Sequence, residues 1–408
     1  MTRVAMLSFH TSPLAQPGAG DSGGMNVYVR ELVTGLAHAG VEVTTYTRAW
    51  RPDLPREILV EPNHRVVHVP AGRHDLAKED LEGVVPDFTD FVLDDMREGR
   101  PADVVHANYW LSGIAGHSIK HERNIPLVTT FHTLARVKAE GGDPEPERRE
   151  RAEAQIIGCA DAICVSCDEE EEQFRRLYGN PPGQIEIVAP GVQHAFFTPG
   201  DKSGARRALG MTTGRSVDAP VLLFVGRIQP LKGVDVAVQA LAALHRSDAV
   251  LYIVGGASGS DGDTEVVRIR RMIESLGLEN QVVFVEPQPH HILSSYYRAA
   301  DAVWVPSRSE SFGLVALEAA ACGTPVVASG VGGLLSLVDH GRTGYLVADR
   351  DPDTFARLTA GILDDTALAS SMSAAAAERG RRYTWSFAAA RLRRLYSDIT
   401  SQSLVHCS

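Results

Sequence analysis

The sequence predicts an α/β protein with two doubly wound, Rossmann-like domains. Three observations support this class: short apolar runs alternate with helical patterns, the runs are apolar at consecutive positions, and a segment rich in glycine and proline interrupts the alternation. Consecutive apolar residues indicate strands that are covered on both faces. They therefore predict mostly parallel sheets with right-handed crossovers.

The first half of the chain has the pattern of repeated βαβ units. Its predicted strands are residues 4–8, 43–46, 66–69, 104–106, 127–130, 162–165 and 185–188. Between the first two strands, Val29, Leu32, Val33 and Leu36 recur at the spacing of an amphipathic helix. We predict that residues 1–195 form an N-terminal domain.

A break in the alternation follows, at residues 194–220. This segment is predicted as a linker because it is rich in turn-forming residues, namely Pro199, Gly200, Gly204, Gly210 and Gly214. The alternation then resumes, with strands predicted at residues 221–225, 250–254, 282–285, 302–305, 325–328 and 345–347 and a helix at 234–245. We predict a second domain at residues 196–383.

Residues 384–408 are predicted as a separate C-terminal segment that begins with a basic amphipathic helix, residues 384–396. In open α/β sheets, ligands bind beyond the carboxyl ends of the strands. Two such domains facing each other therefore predict a cleft lined by the loops that follow the strands.

The composition narrows the class of protein. With 408 residues, of which 44% are hydrophobic and 22% charged, the chain is long enough for two cores. The net charge of -11 argues against a nucleic-acid or anionic-membrane partner. No apolar run reaches the ~18 residues of a membrane span, and the first strand begins too early for a signal peptide. We expect a cytoplasmic protein whose partners are small molecules.

The cysteines give no metal or redox signature. Their odd number, five, suits a reducing compartment. Cys164 and Cys167 have C-x-x-C spacing, but residues 161–166 have the pattern of a buried strand and no second ligand pair follows at a zinc spacing. No HExxH motif is present, and no DxD run is predicted to hold a catalytic metal. We predict no metal ligand in the functional site, while a structural ion elsewhere stays open.

Two carboxylates flank the predicted start of a helix. Glu310 and Glu318 stand on either side of Gly313, where the chain is expected to turn into a helix. The N–H groups and the positive dipole end of a helix attract phosphate, and fixed carboxylates accept hydrogen bonds from hydroxyl groups. A nucleotide sugar carries both kinds of group, phosphates and hydroxyls. The alternative is an ordinary amphipathic helix, because Leu314 and Leu317 are common helix residues.

A long polar loop, residues 10–28, follows the first strand. Gly23 and Gly24 stand where it enters a helix, and their missing side chains let the backbone approach a pyrophosphate. The alternative is a simple helix cap, with Asp21 or Ser22 as the capping residue.

Two cations and one histidine also follow predicted strands. Arg227 and Lys232 lie in a loop flanked by glycines, where they could neutralise a departing diphosphate. Surface cations without a ligand are the alternative. His132 follows a strand and would face the same cleft, and the alternative for it is a core or capping histidine.

The segment from Glu310 to Glu318 resembles the E-x7-E motif of retaining GT-B glycosyltransferases of the family 4 type, which include sucrose synthase. The loop 10–28 and the segments 109–113, 132–134 and 225–233 extend the likeness in the same order over nearly the full chain. Together they resemble the actinobacterial D-inositol-3-phosphate glycosyltransferases. Those enzymes begin mycothiol synthesis by moving N-acetylglucosamine from UDP-N-acetylglucosamine onto 1D-myo-inositol 3-phosphate.

The resemblance implies a GT-B fold whose C-terminal helix crosses back to the N-terminal domain. It also implies a UDP-sugar cosubstrate, no cofactor for the chemistry, and attack by the acceptor on the face from which the diphosphate leaves. His132, Arg227, Lys232 and Glu310 would be catalytic. The implied donor-binding residues are Gln16, Pro17, Gly23, Gly24, Arg227, Lys232, Gln288, Glu310, Phe312, Gly313, Leu314 and Glu318.

For the acceptor, the resemblance implies a phosphate site made by Lys78, Tyr109, Thr133 and Arg149. It places His10, Asp21 and Asn26 near the cyclitol ring. The segment between Thr133 and Arg149 is shorter than is usual in the family, so Arg148 and Arg151 stay alternatives to Arg149.

Two positions depart from the family pattern. Ser309 stands where asparagine is usual, and Gln288 replaces a usual arginine near the base pocket. The first alternative function is therefore a paralogue of secondary metabolism that glycosylates an aminocyclitol or another small acceptor. A more remote one is a sugar-nucleotide-binding protein without turnover. A homodimer is left open.

Overall fold

The computed structural model describes residues 2–18, 22–211, 219–257 and 262–407, and the side chains of residues 262 and 263 are not described. The chain forms two compact units. The first unit comprises Met1–Ala15, Met25–Gly191 and Trp385–Ser408, and the second comprises Gln16–Gly24 and Val192–Thr384. In this division the glycine-rich loop of the N-terminal half groups with the second unit.

The first unit is built on an eight-stranded sheet in the described part of the chain. Its strands are β1 (Arg3–Leu7), β2 (Glu42–Arg48), β3 (Glu57–Glu61), β4 (His64–Val69), β5 (Val104–Asn108), β6 (Leu127–Thr130), β7 (Ala162–Val165) and β8 (Gln184–Ile187). Their order is β3-β4-β2-β1-β5-β6-β7-β8, and all pairs are parallel except β3 with β4. The order reverses at β1, as in a doubly wound sheet.

Helices cover both faces of this sheet. They are α1 (Gly24–His38), α2 (Val85–Arg97), α3 (Trp110–Arg123), α4 (Ala135–Glu140), α5 (Glu147–Ile157) and α6 (Asp168–Tyr178), with a 3-10 helix at Lys78–Val84. On β1, Ala5 and Leu7 join one apolar cluster while Val4 and Met6 join another. Each face of the strand is therefore buried, which explains the unbroken apolar runs in the sequence.

The second unit has a six-stranded, fully parallel sheet within the described residues. Its strands are β9 (Val221–Val225), β10 (Val250–Val254), β11 (Val282–Val285), β12 (Ala302–Val305), β13 (Val326–Ser329) and β14 (Gly344–Val347), in the order β11-β10-β9-β12-β13-β14. The helices are α7 (Lys202–Ala208), α8 (Val234–Ala243), α9 (Gly262–Ser275), α10 (His290–Ala299), α11 (Leu314–Ala321), α12 (Gly333–Leu337), α13 (Pro352–Asp364) and α14 (Thr366–Arg381), with a 3-10 helix at Pro230–Lys232.

The last helix, α15 (Trp385–Thr400), packs in the first unit. The ring of Trp385 lies 5.6 Å from that of Tyr28 on α1, and a Cβ added to Gly35 of α1 would come within 3.1 Å of Ala389. On the sheet, the Tyr396 hydroxyl lies 2.6 Å from His106 Nδ1. The predicted return of the C-terminal helix to the N-terminal half is confirmed.

Two elements were missed by the sequence analysis. Strand β3 is an antiparallel edge strand whose residues stay half or fully exposed, so its sequence lacks the apolar signature of the inner strands. The predicted linker contains α7, which Arg206 holds in place by donating to the Ala299 carbonyl (2.9 Å) and to Asp301 (2.6 Å). These long-range contacts stabilise a helix too short to be recognised from its periodicity.

Among the described residues, no helix has both the length and the apolar character that crossing a bilayer requires.

Candidate functional site

In the second unit, the structure joins the two predicted donor motifs. Lys232 ends the 3-10 helix that follows β9, and Glu310 lies in the turn that follows β12, the neighbouring strand. Lys232 Nζ donates to Glu310 Oε2 at 2.7 Å, and Ser307 Oγ donates to the same oxygen at 3.3 Å. A carboxylate and a cation are thus held together at the carboxyl edge of the sheet, where a sugar hydroxyl and a phosphate could share them.

The helix predicted near Gly313 is α11. Gly313 is its N-cap, with φ of 101°, and a Cβ there would come within 2.7 Å of Leu334. Only glycine fits this backbone at low cost. The first N–H groups of a helix have no acceptor within the helix, so an anion at the start of α11 could accept from them. Phe312 is buried with its ring 5.6 Å from that of Tyr383, which anchors the turn.

Glu318 lies on the second turn of α11 and is buried. Its Oε2 accepts a hydrogen bond from the Tyr297 hydroxyl at 2.8 Å. Burial and the neighbouring Glu318 carboxylate raise the pKa of Tyr297 well above its ordinary value, so the phenol stays protonated and keeps donating. Glu318 is therefore a fixed acceptor of the kind that ribose hydroxyls need.

A second glycine pair supports the Glu310 turn and was missed by the sequence analysis. A Cβ on Gly332 would collide with the Glu310 carbonyl, and one on Gly333 would collide with Phe312. The Gly333 N–H donates to the Glu310 carbonyl at 3.1 Å. The signal was present as three glycines at residues 330–333 directly after a strand, a pattern typical of a close backbone approach.

The glycine-rich loop of residues 16–24 groups with this same unit. The Gly256 N–H donates to the Gly18 carbonyl at 3.1 Å. A Cβ on Gly23 would lie 3.3 Å from Arg227 Nε, and one on Gly24 would lie 3.5 Å from Leu314 Cδ1. The loop thus reaches both the predicted phosphate cation and the start of α11.

Of the remaining donor candidates, Gln16 and Pro17 lie in the glycine-rich loop, and Gln288 lies in the loop that follows β11. Gln16 is exposed, and Pro17 is half-buried. Gln288 donates to the Glu286 carbonyl at 2.9 Å, so its amide is oriented by its own loop. Asp21, an acceptor candidate, lies outside the described residues.

In the first unit, Arg149 brings together three of the four predicted phosphate residues. The guanidinium is almost fully buried, at 1% exposure. It donates to the Tyr109 hydroxyl at 3.2 Å and to Oγ1 and the carbonyl oxygen of Thr133 at 3.1 and 2.8 Å. It also lies 5.0 Å from the centre of the Tyr109 ring. Tyr109 follows β5 and Thr133 follows β6, so the cluster lies at the carboxyl edge of the sheet.

The two alternatives to Arg149, Arg148 and Arg151, have other surroundings. Arg148 pairs with Glu82, with N–O at 3.3 Å, and Arg151 is 70% exposed. Lys78 is exposed at the start of the 3-10 helix, and no described contact joins it to Tyr109, Thr133 or Arg149. The structure therefore groups three of the predicted phosphate residues and leaves Lys78 apart.

Carboxylates surround Arg149. Glu153 is fully buried and accepts from Arg149 Nε at 2.8 Å, and its oxygens also accept from the Ala135 N–H and the Tyr178 hydroxyl. Glu145 lies 2.9 Å from Arg149 Nη1 and pairs with Lys138. Glu153 orients the guanidinium, whereas Glu145, one-fifth exposed, is an anion that an incoming ligand could displace.

His132 is held on a strained backbone. Its φ is 61°, and the φ of Tyr109 is 76°, both in the region that L-residues seldom adopt and that clusters at functional sites. His132 Nε2 lies 2.9 Å from Asn108 Oδ1, and its ring meets that of Tyr28 edge-on at 4.9 Å. Asn108 was not predicted, although it ends β5 directly before Tyr109.

Burial lowers the pKa of His132 to about 3, so the ring is neutral at physiological pH. Because an amide oxygen only accepts, the hydrogen bond to Asn108 assigns the proton to Nε2. Nδ1 then carries the lone pair of the neutral ring.

Two of the three cyclitol candidates, His10 and Asn26, lie in the same unit. The His10 ring is 5.4 Å from that of Tyr109. Asn26 is buried on α1 and donates to the Ser12 carbonyl at 2.6 Å, which ties the helix to the loop after β1.

Two family models match the chain. Residues 23–191 match the model of the glycosyl transferase 4-like domain, and residues 212–379 match that of the glycosyl transferases group 1. A D-inositol 3-phosphate glycosyltransferase 2 from Catenulispora acidiphila is 46% identical over 97% of this chain and 94% of its own length. A D-inositol 3-phosphate glycosyltransferase from Xylanimonas cellulosilytica is 45% identical over 98% of this chain and 97% of its own.

The chain belongs to the D-inositol 3-phosphate glycosyltransferase family. Like other members of that family, it is a glycosyltransferase enzyme, as its resemblance implied. Solved structures confirm the predicted GT-B fold. The sucrose-phosphate synthase of Thermosynechococcus elongatus is 33% identical with a TM-score of 0.90, covering 98% of this chain and 99% of that one. HepE of Anabaena, solved with UDP and glucose, shares the fold at 20% identity and a TM-score of 0.78, covering 98% and 100%.

Proposed function

We propose that this glycosyltransferase moves N-acetylglucosamine from UDP-N-acetylglucosamine to 1D-myo-inositol 3-phosphate, with retention of the anomeric configuration. The observation that carries the acceptor half of the proposal is the buried Arg149, held against the hydroxyls of Tyr109 and Thr133 at a sheet edge. An arginine with hydroxyl donors beside it is suited to a phosphate group.

The donor half rests on the second unit. Glu318 would accept from the ribose hydroxyls, and the N–H groups that begin α11 would face the phosphates or the sugar ring. HepE, which shares the fold, was solved with UDP, and this supports a uridine nucleotide for the present chain.

In the proposed reaction, the acceptor hydroxyl attacks the anomeric carbon on the face from which UDP leaves, and a phosphate oxygen of the departing diphosphate takes the hydroxyl proton. The C–O bond to the phosphate breaks as the new glycosidic bond forms. Lys232 and Arg227 would stabilise the charge that grows on the leaving group, and Glu310 would hold Lys232 in place. Neutral His132 would orient the donor sugar through Nδ1.

One observation favours the first alternative, an aminocyclitol or other small acceptor of secondary metabolism. Glu145, Glu153 and Asp143 place three carboxylates around Arg149 and Lys138. An acceptor with an amino group would pair with Glu145, whereas a phosphorylated acceptor would have to displace it. Binding without turnover is less well supported, because the residues proposed for catalysis are all present.

A matrix of donors and acceptors tests the proposal. UDP-N-acetylglucosamine, UDP-glucose and GDP-mannose are each offered with 1D-myo-inositol 3-phosphate, myo-inositol and an aminocyclitol, and nucleotide release is measured. We expect the first pair to be preferred. The loss of one phosphate contact, ~1.5–3 kcal/mol, predicts at least a tenfold lower kcat/KM for myo-inositol.

The product's anomeric coupling constant, measured by NMR, tests retention. A higher kcat/KM with the aminocyclitol than with 1D-myo-inositol 3-phosphate would support the aminocyclitol enzyme instead. Nucleotide-sugar binding without nucleotide release under any condition would contradict both enzyme assignments.

A further inference from the structure

Four potential metal ligands meet at the far end of α3, about three helical turns from Tyr109. His117 and His121 lie on this helix, Cys159 follows α5, and Cys407 lies in the tail after α15. Their ligand atoms all lie within 4.8 Å of one another. None of the four has a role in the proposed transfer reaction.

The geometry of this group, which we call the His-Cys cluster, suits a tetrahedral ion. His117 and His121 are four residues apart on one face of α3, and their ring centres are 4.8 Å apart. His121 Nε2 lies 3.3 Å from Cys159 Sγ and 3.2 Å from Cys407 Sγ. Bond lengths of ~2.0–2.3 Å to zinc place neighbouring ligand atoms about 3.3–3.8 Å apart, which agrees with the two distances from His121 to the sulfurs. The two sulfurs, which are in bonding contact here, would move apart to bind the ion.

The two sulfurs are in bonding contact, with their Cα atoms 4.7 Å apart, so a disulfide is the competing state of the same pair. A disulfide explains the position of the sulfurs. It does not explain why two imidazoles meet the same point, because disulfide sulfurs need no such partners. Two thiols and two imidazoles from three separate segments form the Cys2His2 donor set typical of structural zinc.

The tail is held in position independently of the cysteines. The Val405 N–H donates to Asp161 Oδ1 at 2.7 Å. The other oxygen of Asp161 accepts from Lys120 Nζ (2.8 Å) and from the Leu127 N–H (2.7 Å). Lys120 also donates to the Cys159 carbonyl at 2.7 Å. This network fixes Cys159 and the tail beside α3, so the ligands are placed before an ion arrives.

The other cysteines differ in their surroundings. Cys164, Cys167 and Cys322 are buried, and burial raises the pKa of each thiol to about 12. Cys407, by contrast, is exposed, and His121 is also open to solvent. The His-Cys cluster can therefore be reached by an ion from the solvent.

We propose that the reduced chain binds one Zn²⁺ through His117, His121, Cys159 and Cys407, and that the ion fastens the C-terminal tail to α3. Binding replaces the two thiol protons with the ion and involves no redox step, whereas disulfide formation would require an oxidant. The proposal is independent of the substrate of the enzyme.

The test uses the full chain, purified with a non-thiol reductant, stripped of metal and titrated with ZnCl₂ alone against a chromophoric chelator. We expect about one tightly bound Zn²⁺ per chain and, with Co²⁺ in its place, the visible absorption of a tetrahedral site. Cys407→Ser and His121→Gln should each weaken zinc binding by more than about 100-fold, because outer-shell changes alone cost about 10–100-fold. His406→Ala, a neighbouring exposed histidine in the tail, is the matched control and should bind zinc like the parent.

Two further measurements separate the outcomes. Thiol titration of protein purified without added reductant, then denatured and treated with chelator, should find all five cysteines reduced, and metal removal from the reduced protein should speed hydrogen exchange at Val405. A metal-free protein with only three titratable thiols would assign the pair to a disulfide and overturn the proposal. Five thiols without stoichiometric zinc, or equal zinc binding by Cys407→Ser and the parent, would overturn it as well.

Discussion

At the residue scale, the pairing of Lys232 with Glu310 is the central contact of the donor half. Each residue comes from a different strand end, and the 2.7 Å ion pair is three-quarters or more shielded from solvent on both sides. Because the pair is partly desolvated, its charges act more strongly on a ligand than surface charges do. Lys232 is therefore suited to stabilise a leaving diphosphate, and Glu310 holds the lysine in place.

We expect Lys232→Ala to lower kcat more than it raises the donor KM, because the charge it meets grows in the transition state. The barrier should rise by ~2–4 kcal/mol. Steady-state kinetics with varied donor provides the measurement. Lys202→Ala is the control, since this half-exposed lysine of the same unit pairs with Asp301 away from the motifs. Activity of Lys232→Ala within about threefold of the parent would contradict the assignment.

Tyr109 tests the acceptor half. Tyr109→Phe removes only the hydroxyl 3.2 Å from Arg149 Nη1 and keeps the ring under the guanidinium. We expect the preference for a phosphorylated over an unphosphorylated acceptor to fall by about 0.5–1.5 kcal/mol, the typical value of one hydrogen bond. The ratio of kcat/KM for the two acceptors gives the value. Tyr345→Phe, in the other unit, is the control, and an unchanged ratio in Tyr109→Phe would argue against a phosphate at this position.

At the element scale, two helices are placed by unusual local geometry. α11 begins at a glycine with φ of 101° that rests against Leu334. α15 contacts the first unit through Trp385 and through the buried pair of Tyr396 and His106. The start of α11 positions a candidate ligand site, and the packing of α15 completes an apolar core.

Gly313→Ala should lower activity by at least tenfold, because the added Cβ meets Leu334 at 2.7 Å and the backbone favours glycine. Gly361→Ala is the matched control. Gly361 lies within α13 with nothing within 4 Å of an added Cβ, so the change should be neutral or stabilise by ~0.5–1 kcal/mol. Activity assays and thermal unfolding of both variants are compared. Equal activity of the two would show that the turn tolerates a side chain.

Tyr396→Phe should destabilise the protein by about 1–3 kcal/mol, because it leaves His106 Nδ1 buried without the hydroxyl that lies 2.6 Å away. Denaturant unfolding of parent and variant measures the change. Ser397→Ala, exposed on the same helix, should leave stability within about 0.5 kcal/mol of the parent. A similar result for Tyr396→Phe would mean that the pair does not hold α15 in place.

At the scale of the whole molecule, the first unit buries three neutral histidines. Burial lowers the pKa of His64 to about 4 and those of His106 and His132 to about 3, against an ordinary value of 6.5. At each of these histidines, between the folded and ordinary pKa values, the unfolded chain binds more protons than the folded one, so the three together lower the free energy of unfolding as the pH is lowered. The buried Glu170, whose pKa burial raises to about 7, opposes them as one group against three.

We therefore expect the stability of the protein to decline on acidification from pH 6.5 towards pH 4.5. Each histidine contributes a slope of up to about 1.4 kcal/mol per pH unit well inside this window. Urea midpoints measured across the range should move less in His106→Gln than in the parent. Ser397→Ala, at an exposed residue without a titratable side chain, should keep the parental slope. A midpoint independent of pH in the parent would show that these side chains are not buried as neutral groups.

The sequence by itself determined the fold class, most strand positions and the start of α11. These features are local: a strand covered on both faces needs an apolar run, and a helix start at a positive φ needs glycine, so the residues report them directly. The order of the motifs along the chain also indicated the family that the comparisons establish.

Only the tertiary structure decided which charged residues act together. Arg148, Arg149 and Arg151 have the same chemistry in sequence, and burial against Tyr109 and Glu153 distinguishes Arg149. Only the tertiary structure likewise revealed α7, the close packing of Gly332 against the Glu310 carbonyl, and the His-Cys cluster. The last member of that cluster lies 248 residues beyond Cys159. Such contacts join residues far apart in the chain, and their free energy depends on packing that no local pattern encodes.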